Sequence, residues 1–127
     1  MMSETHQDNI IRFPKPMAGL ENNTQFRLFH DDTDNPTVHY LQSVTHPDIE
    51  MSIVVPEALD MNLEFELSDD EQALLQLDNA QDAVVAVIIY KPQQDDTTDE
   101  DQPMRVMLHA PIVINAKTKL ALQKRIA

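Results

Sequence analysis

Val84-Val85-Ala86-Val87-Ile88-Ile89-Tyr90, preceded by Ala83, is the longest apolar run in the chain. It is rich in β-branched residues and far shorter than the roughly 20 residues of a membrane span, so it reads as a strand at the centre of the fold. Towards the N-terminus, Leu63, Phe65 and Leu67 alternate with Glu64 and Glu66, the pattern of a strand with one buried face. Working outward, similar short stretches predict strands over 10–13, 25–30, 38–43, 51–55, 63–67, 84–90, 105–109, 112–115 and 120–126. The last also suits a short helix; as a strand it places Leu120, Leu122 and Lys124 on one side. Eight prolines punctuate these stretches and there is one glycine, Gly19, so turns rest on proline and Asx residues rather than Asn-Gly pairs. The expectation is a mainly β domain, an antiparallel sheet or barrel.

One helix is expected near 69–77. Ser68-Asp69-Asp70-Glu71 spells a capping box, with Ser68 as N-cap and Glu71 at the third helical position. Asp69 and Asp70 suit the positive end of the helix dipole, Leu74, Leu75 and Leu77 form an apolar side, and Asp78-Asn79 ends the helix. A single turn is expected over 58–61, after Pro56. Residues 31–36 read as a turn. The acidic stretch 93–102, between Pro92 and Pro103, reads as a mobile loop joining two strands. Residues 1–9 read as a flexible N-terminal segment and 10–127 as one domain.

The 127 residues carry 22 acidic and 9 basic side chains, a net charge of −13. All the acids lie at or before Asp101, opposed there only by Arg12, Lys15, Arg27 and Lys91. From Gln102 onward Arg105, Lys117, Lys119, Lys124 and Arg125 stand without an acid. Such a balance repels phosphates and anionic lipids and attracts basic surfaces, which argues against nucleic acid and membrane as direct partners. It also serves plain solubility. The absence of cysteine excludes disulfides and thiolate chemistry and fits a reducing cytoplasm. The polar opening MMSETHQDN is not a secretory signal.

Catalytic motifs fail on composition. A single glycine forbids the nucleophile elbow, the phosphate-binding loop and the dinucleotide fingerprint. Asp31–Asn35 resembles a calcium loop only superficially, lacking the glycine and the bidentate acid in register. No cofactor is implied. A metal site built from His39, His46 and a nearby Asp48 or Glu50 is the one enzymatic alternative.

Two segments carry more than generic strand character: Asn35-Pro36-Thr37-Val38-His39-Tyr40-Leu41-Gln42-Ser43, and Met107-Leu108-His109-Ala110-Pro111-Ile112-Val113-Ile114-Asn115 followed by Lys117-Thr118 and Gln123. With Phe13-Pro14, Gly19-Leu20-Glu21 and Phe65-Glu66-Leu67-Ser68, they resemble the flagellar assembly factor FliW family over roughly residues 10–126. The resemblance implies a small antiparallel β-barrel-like monomer with no catalytic site. It implies a cytoplasmic protein that binds flagellin and the carbon storage regulator CsrA, an RNA-binding translational repressor of flagellin synthesis. Competition between the two partners would couple synthesis to assembly.

The chain departs from the family pattern at its start. The usual Phe-Gly-x-Ile/Val strand is replaced by polar residues, and Gly-Leu-x-Gly-Phe-Glu becomes Met17-Ala18-Gly19-Leu20-Glu21. Candidate partner-binding residues are Leu41, Gln42, Ser43, Asp69, Asp70, Glu71, Leu108, Pro111 and Asn115. For Leu41, Ile112 and Ile114 the competing reading is core packing, for Pro111 the start of a strand, and for Gln42, Ser43 and Asn115 the holding of backbone groups. An acidic module of the same fold with a different basic partner is the second functional reading.

Overall fold

The computed structural model describes residues 9–17, 19–32, 37–90 and 105–125. Within them the strands are β1 (Ile10–Arg12), β2 (Gln25–His30), β3 (His39–Ser43), β4 (Glu50–Val54), β5 (Ala83–Tyr90), β6 (Arg105–Asn115) and β7 (Ala121–Gln123). The helix α1 spans Asp69–Leu75, and single 3-10 turns occupy Pro56–Leu59 and Ala80–Asp82. Each strand pairs antiparallel with the next, from β1 through to β7. The sheet then curls until its ends meet: Arg12 and Leu120 form a parallel bridge, and the Arg12 N–H donates to the Lys119 carbonyl at 2.9 Å. The result is a nearly closed barrel with one helix.

Alternation along the strands fills the interior. Ile11, Phe26, Leu41, Ile53, Ala86, Ile112, Ile114 and Ala121 point inward, joined by Phe13 and Met17 from the segment after β1. Phe13 and Phe26 meet edge to face with centroids 5.4 Å apart, a favoured aromatic geometry. A second cluster lies on the outer face, where Leu75 of α1 covers Val113 and Leu122. Both faces of β6 are therefore buried between Ala110 and Asn115, which explains why that stretch is apolar without alternation.

Most predicted strands stand, and four expectations are corrected. Residues 63–67 do alternate, with Leu63, Phe65 and Leu67 half-buried and Glu64 and Glu66 exposed, but they form no strand. β5 already has β4 and β6 on its two edges, so the segment lies over the outer face of the sheet instead of joining it. The stretches 105–109 and 112–115 are one strand. Across from it the register jumps from Ala86↔Ile112 to Ile88↔Met107, so Leu108 through Pro111 bulge where Pro111 has no N–H to donate. Helix α1 stops at Leu75, earlier than Asp78-Asn79, because Gln76 turns left-handed (φ 53°). Its N–H reaches the Ala73 carbonyl and that of Leu77 reaches Gln72, a Schellman closure. The final segment is a strand only over Ala121–Gln123.

The turn residues 33–36, the loop 93–102 and residues 1–8 lie outside the described residues. Gly19 does sit where its type is needed, at φ +82° in the turn between β1 and β2. Replacing the interior ring of Phe26, which is wholly buried, tests the core. Phe26→Ala is expected to cost about 3–5 kcal/mol, read as a lower urea midpoint at unchanged slope.

Candidate functional site

The capping box forms as the residues dictate. Ser68 Oγ accepts from the Glu71 N–H at 3.1 Å, and Glu71 Oε1 accepts from the Ser68 N–H at 2.8 Å. Glu71 also receives Lys124 Nζ from beyond β7, at 3.0 and 3.2 Å to its two oxygens. Burial alone would raise the Glu71 carboxyl, but the Ser68 amide and the Lys124 ammonium outweigh it and hold the group below its ordinary value. The basic C-terminal stretch and the acidic helix start are thus neighbours in space, although far apart in sequence.

The other end of the helix is held by Asn115. Its Nδ2 donates to the carbonyls of Leu75 (2.9 Å) and Gln76 (3.2 Å), while its Oδ1 accepts from the N–H groups of Lys117 and Thr118. Thr118 Oγ1 adds a second donor to the Leu75 carbonyl at 3.1 Å. Orphan carbonyls at the C-terminal end of the helix are thereby satisfied by residues of the β6–β7 turn. Asn115 is 1% exposed, so its role is to hold backbone groups.

The Leu41-Gln42-Ser43 strip divides in the same way. Leu41 is in the core. Ser43, 1% exposed, donates to Asn23 Oδ1 at 2.5 Å and accepts from the His46 N–H at 3.0 Å. His46 Nδ1 lies 2.9 Å from the same Asn23 oxygen. Sequence reasoning missed Asn23, a buried amide in a polar stretch that only its distant partners distinguish. Gln42 is half-buried, accepting from Arg27 and donating to the Pro47 carbonyl. Pro111 is buried, whereas the bulge turns Leu108 outward to 39% exposure. Asp69 and Asp70 are exposed on the first turn of α1. Surface residues among the candidates are therefore Asp69, Asp70 and Leu108, with Gln42 and Glu71 partly so.

His39 and His46 are not brought together. His39 opens β3, edge to face with His30 at 5.2 Å, while His46 lies in the turn past the far end of that strand. Burial, then the His30 ring, hold His39 below the usual histidine value. Among the described residues no cluster of three or more His, Asp or Glu side chains is placed to hold a metal ion. No helix of the described residues is long and apolar enough to cross a membrane.

Beside α1 an open groove of about 800 Å³ runs between the 63–67 segment and the outer face of β5 and β6. Leu63, Phe65, Leu67, Leu77, Val85 and Val113 line it, and its charged residues, Glu64, Glu66 and Asp78, are all acidic. Among the described residues the only ion pair is Lys124–Glu71, so this rim is uncompensated.

The described residues form a small antiparallel barrel with an external helix and an apolar groove rimmed by acidic side chains. The comparisons narrow that fold class. The family model for the FliW protein matches residues 2–126. The chain is 37% identical over 126 residues to the flagellar assembly factor FliW of Chromobacterium violaceum, covering 95% of this chain and 84% of that one. It is 38% identical over 122 residues to its counterpart in Azoarcus sp., covering 96% and 83%. A crystal structure of the flagellar assembly factor FliW superposes with a TM-score of 0.81 at 28% identity, covering 96% of this chain and 80% of that one. The chain belongs to the FliW family of flagellar assembly factors.

Two substitutions test how the helix is held. Asn115→Ala strips the donors from two carbonyls and the acceptor from two N–H groups, and is expected to cost about 2–4 kcal/mol in urea unfolding. Ser68→Ala, losing one cap bond at an exposed position, should cost only about 1 kcal/mol. The lowered Glu71 carboxyl adds stability that is present above the usual glutamate value and is lost as pH falls through its own. Glu71→Gln should therefore be less stable near neutrality and show a shallower fall in urea midpoint from about pH 7 to about pH 3.

Proposed function

We propose that this chain is a cytoplasmic regulatory binding protein that takes flagellin and, once flagellin has been exported or incorporated, the repressor CsrA. It thereby couples flagellin synthesis to assembly, acting as a monomer and without a reaction of its own. The observation that carries this reading is the family match over residues 2–126. The net charge of −13 supports the CsrA half, since an acidic surface attracts the basic surface of an RNA-binding protein and disfavours RNA beside it. Asp69, Asp70 and Leu108 are the exposed members of the candidate set and the contacts proposed here.

The test uses purified full-length chain with flagellin and CsrA from the same cell. Binding to each, and release of a flagellin-leader RNA from CsrA on adding the chain, is the expected result. Binding to neither would overturn it, and would leave the second reading, a different basic partner. The double variant Asp69→Lys, Asp70→Lys should weaken CsrA binding by about tenfold or more and reduce its salt dependence. Its urea stability should fall by no more than about 1–2 kcal/mol, through the helix dipole alone.

A further inference from the structure

The 63–67 segment has the form of a strand without the pairing of one. Its side chains alternate in and out, yet no backbone N–H or C=O from Leu63 through Glu66 bonds to any described residue. Among the described residues the first bond to a backbone group of this stretch is at Leu67, whose carbonyl accepts from the Gln72 side chain at 3.1 Å, while the Glu64 carboxylate accepts from Asn62 Nδ2 at 3.3 Å. Extended backbone with free polar groups is a template for another strand. Next to it lies the groove, with apolar walls from Leu77, Val85 and Val113 and room for the inward side chains of a neighbour.

We infer that the 63–66 edge is a docking site for an extended segment of a partner protein in which apolar residues alternate with basic ones. Three observations select that occupant. A helix satisfies its own backbone groups and would leave those of residues 63–66 unmatched, whereas a strand pairs with them. At about 3.3 Å per residue the four-residue edge spans about 13 Å, enough to set two inward side chains of the partner into the groove. The outward positions facing Glu64 and Glu66 would be filled by lysine or arginine, because opposite charges across a strand pair attract and like charges repel. The acidic 93–102 stretch of this chain has the wrong sign to take that place.

The inference does not depend on which proteins the chain binds in the cell, since its probe is synthetic. The probe is a blocked seven-residue peptide alternating lysine and valine, titrated against the full chain by calorimetry. Pairing uses alternate amides only, so N-methylation of one alternate set should cost at least about tenfold in affinity while the other set costs less than about twofold. The double variant Glu64→Lys, Glu66→Lys, altered at exposed positions, should also lose about tenfold or more while keeping its urea midpoint. Three results would overturn the inference: no binding at about millimolar peptide, equal tolerance of both N-methylated sets, or tighter binding of a helical peptide of the same composition. Loss of binding by both sets alike would also count against it, because strand pairing distinguishes the two.

Discussion

The side-chain amide of Asn115 is the constraint on which the outer half of the molecule depends. It sits at the end of β6 and faces two demands at once: the last carbonyls of α1 need donors, and the turn into β7 needs an acceptor. One planar amide meets both because its oxygen and nitrogen point in opposite directions. Its own N–H donates to the Leu120 carbonyl and its carbonyl accepts from the Lys119 N–H, closing the turn into β7. With the helix end fixed there and its start tied to Lys124, Leu75 is pressed over Val113 and Leu122. The helix carries no long apolar face of its own, so polar ties position it and burial then rewards that position.

The same arrangement creates the groove. A helix of seven residues covers only part of the outer face of β5 and β6. The remainder is spanned by the 63–67 segment, which brings three apolar side chains but leaves the space beside them open. Among the described residues no cation pairs with the acidic side chains that border that space. The groove is therefore the result of incomplete coverage of the outer face of β5 and β6.

Local chemistry was the most legible part of the sequence. The capping box at Ser68–Glu71 formed with both of its bonds, and Gln25–His30 is the strand its alternation implies. The failures have a common cause. Alternation at 63–67 states which side chains are buried, but pairing depends on whether a sheet edge is free, and that is decided by strands far away in sequence. Likewise Pro111 marked an interruption correctly, yet whether it is a turn or a bulge depends on the register with β5. The surface was least legible. Asn115, Ser43 and Leu41 belong to recognisable motifs and turned out to be interior, because a motif records that a residue is constrained and not on which side of the wall it stands.

The parity of the barrel has a consequence of its own. Strands that each reverse the direction of the last return to opposite senses at the join only when their number is even; seven is odd, so β1 and β7 must meet running the same way. Parallel neighbours cannot share the narrow and wide bond pairs used everywhere else in this sheet, and among the described residues the join is the single Arg12–Leu120 bridge. In topological terms the wall is a ring with a single built-in clasp. Any breathing of the molecule that leaves the six ladders intact has to begin by undoing that clasp, between Arg12 and the turn that Asn115 anchors.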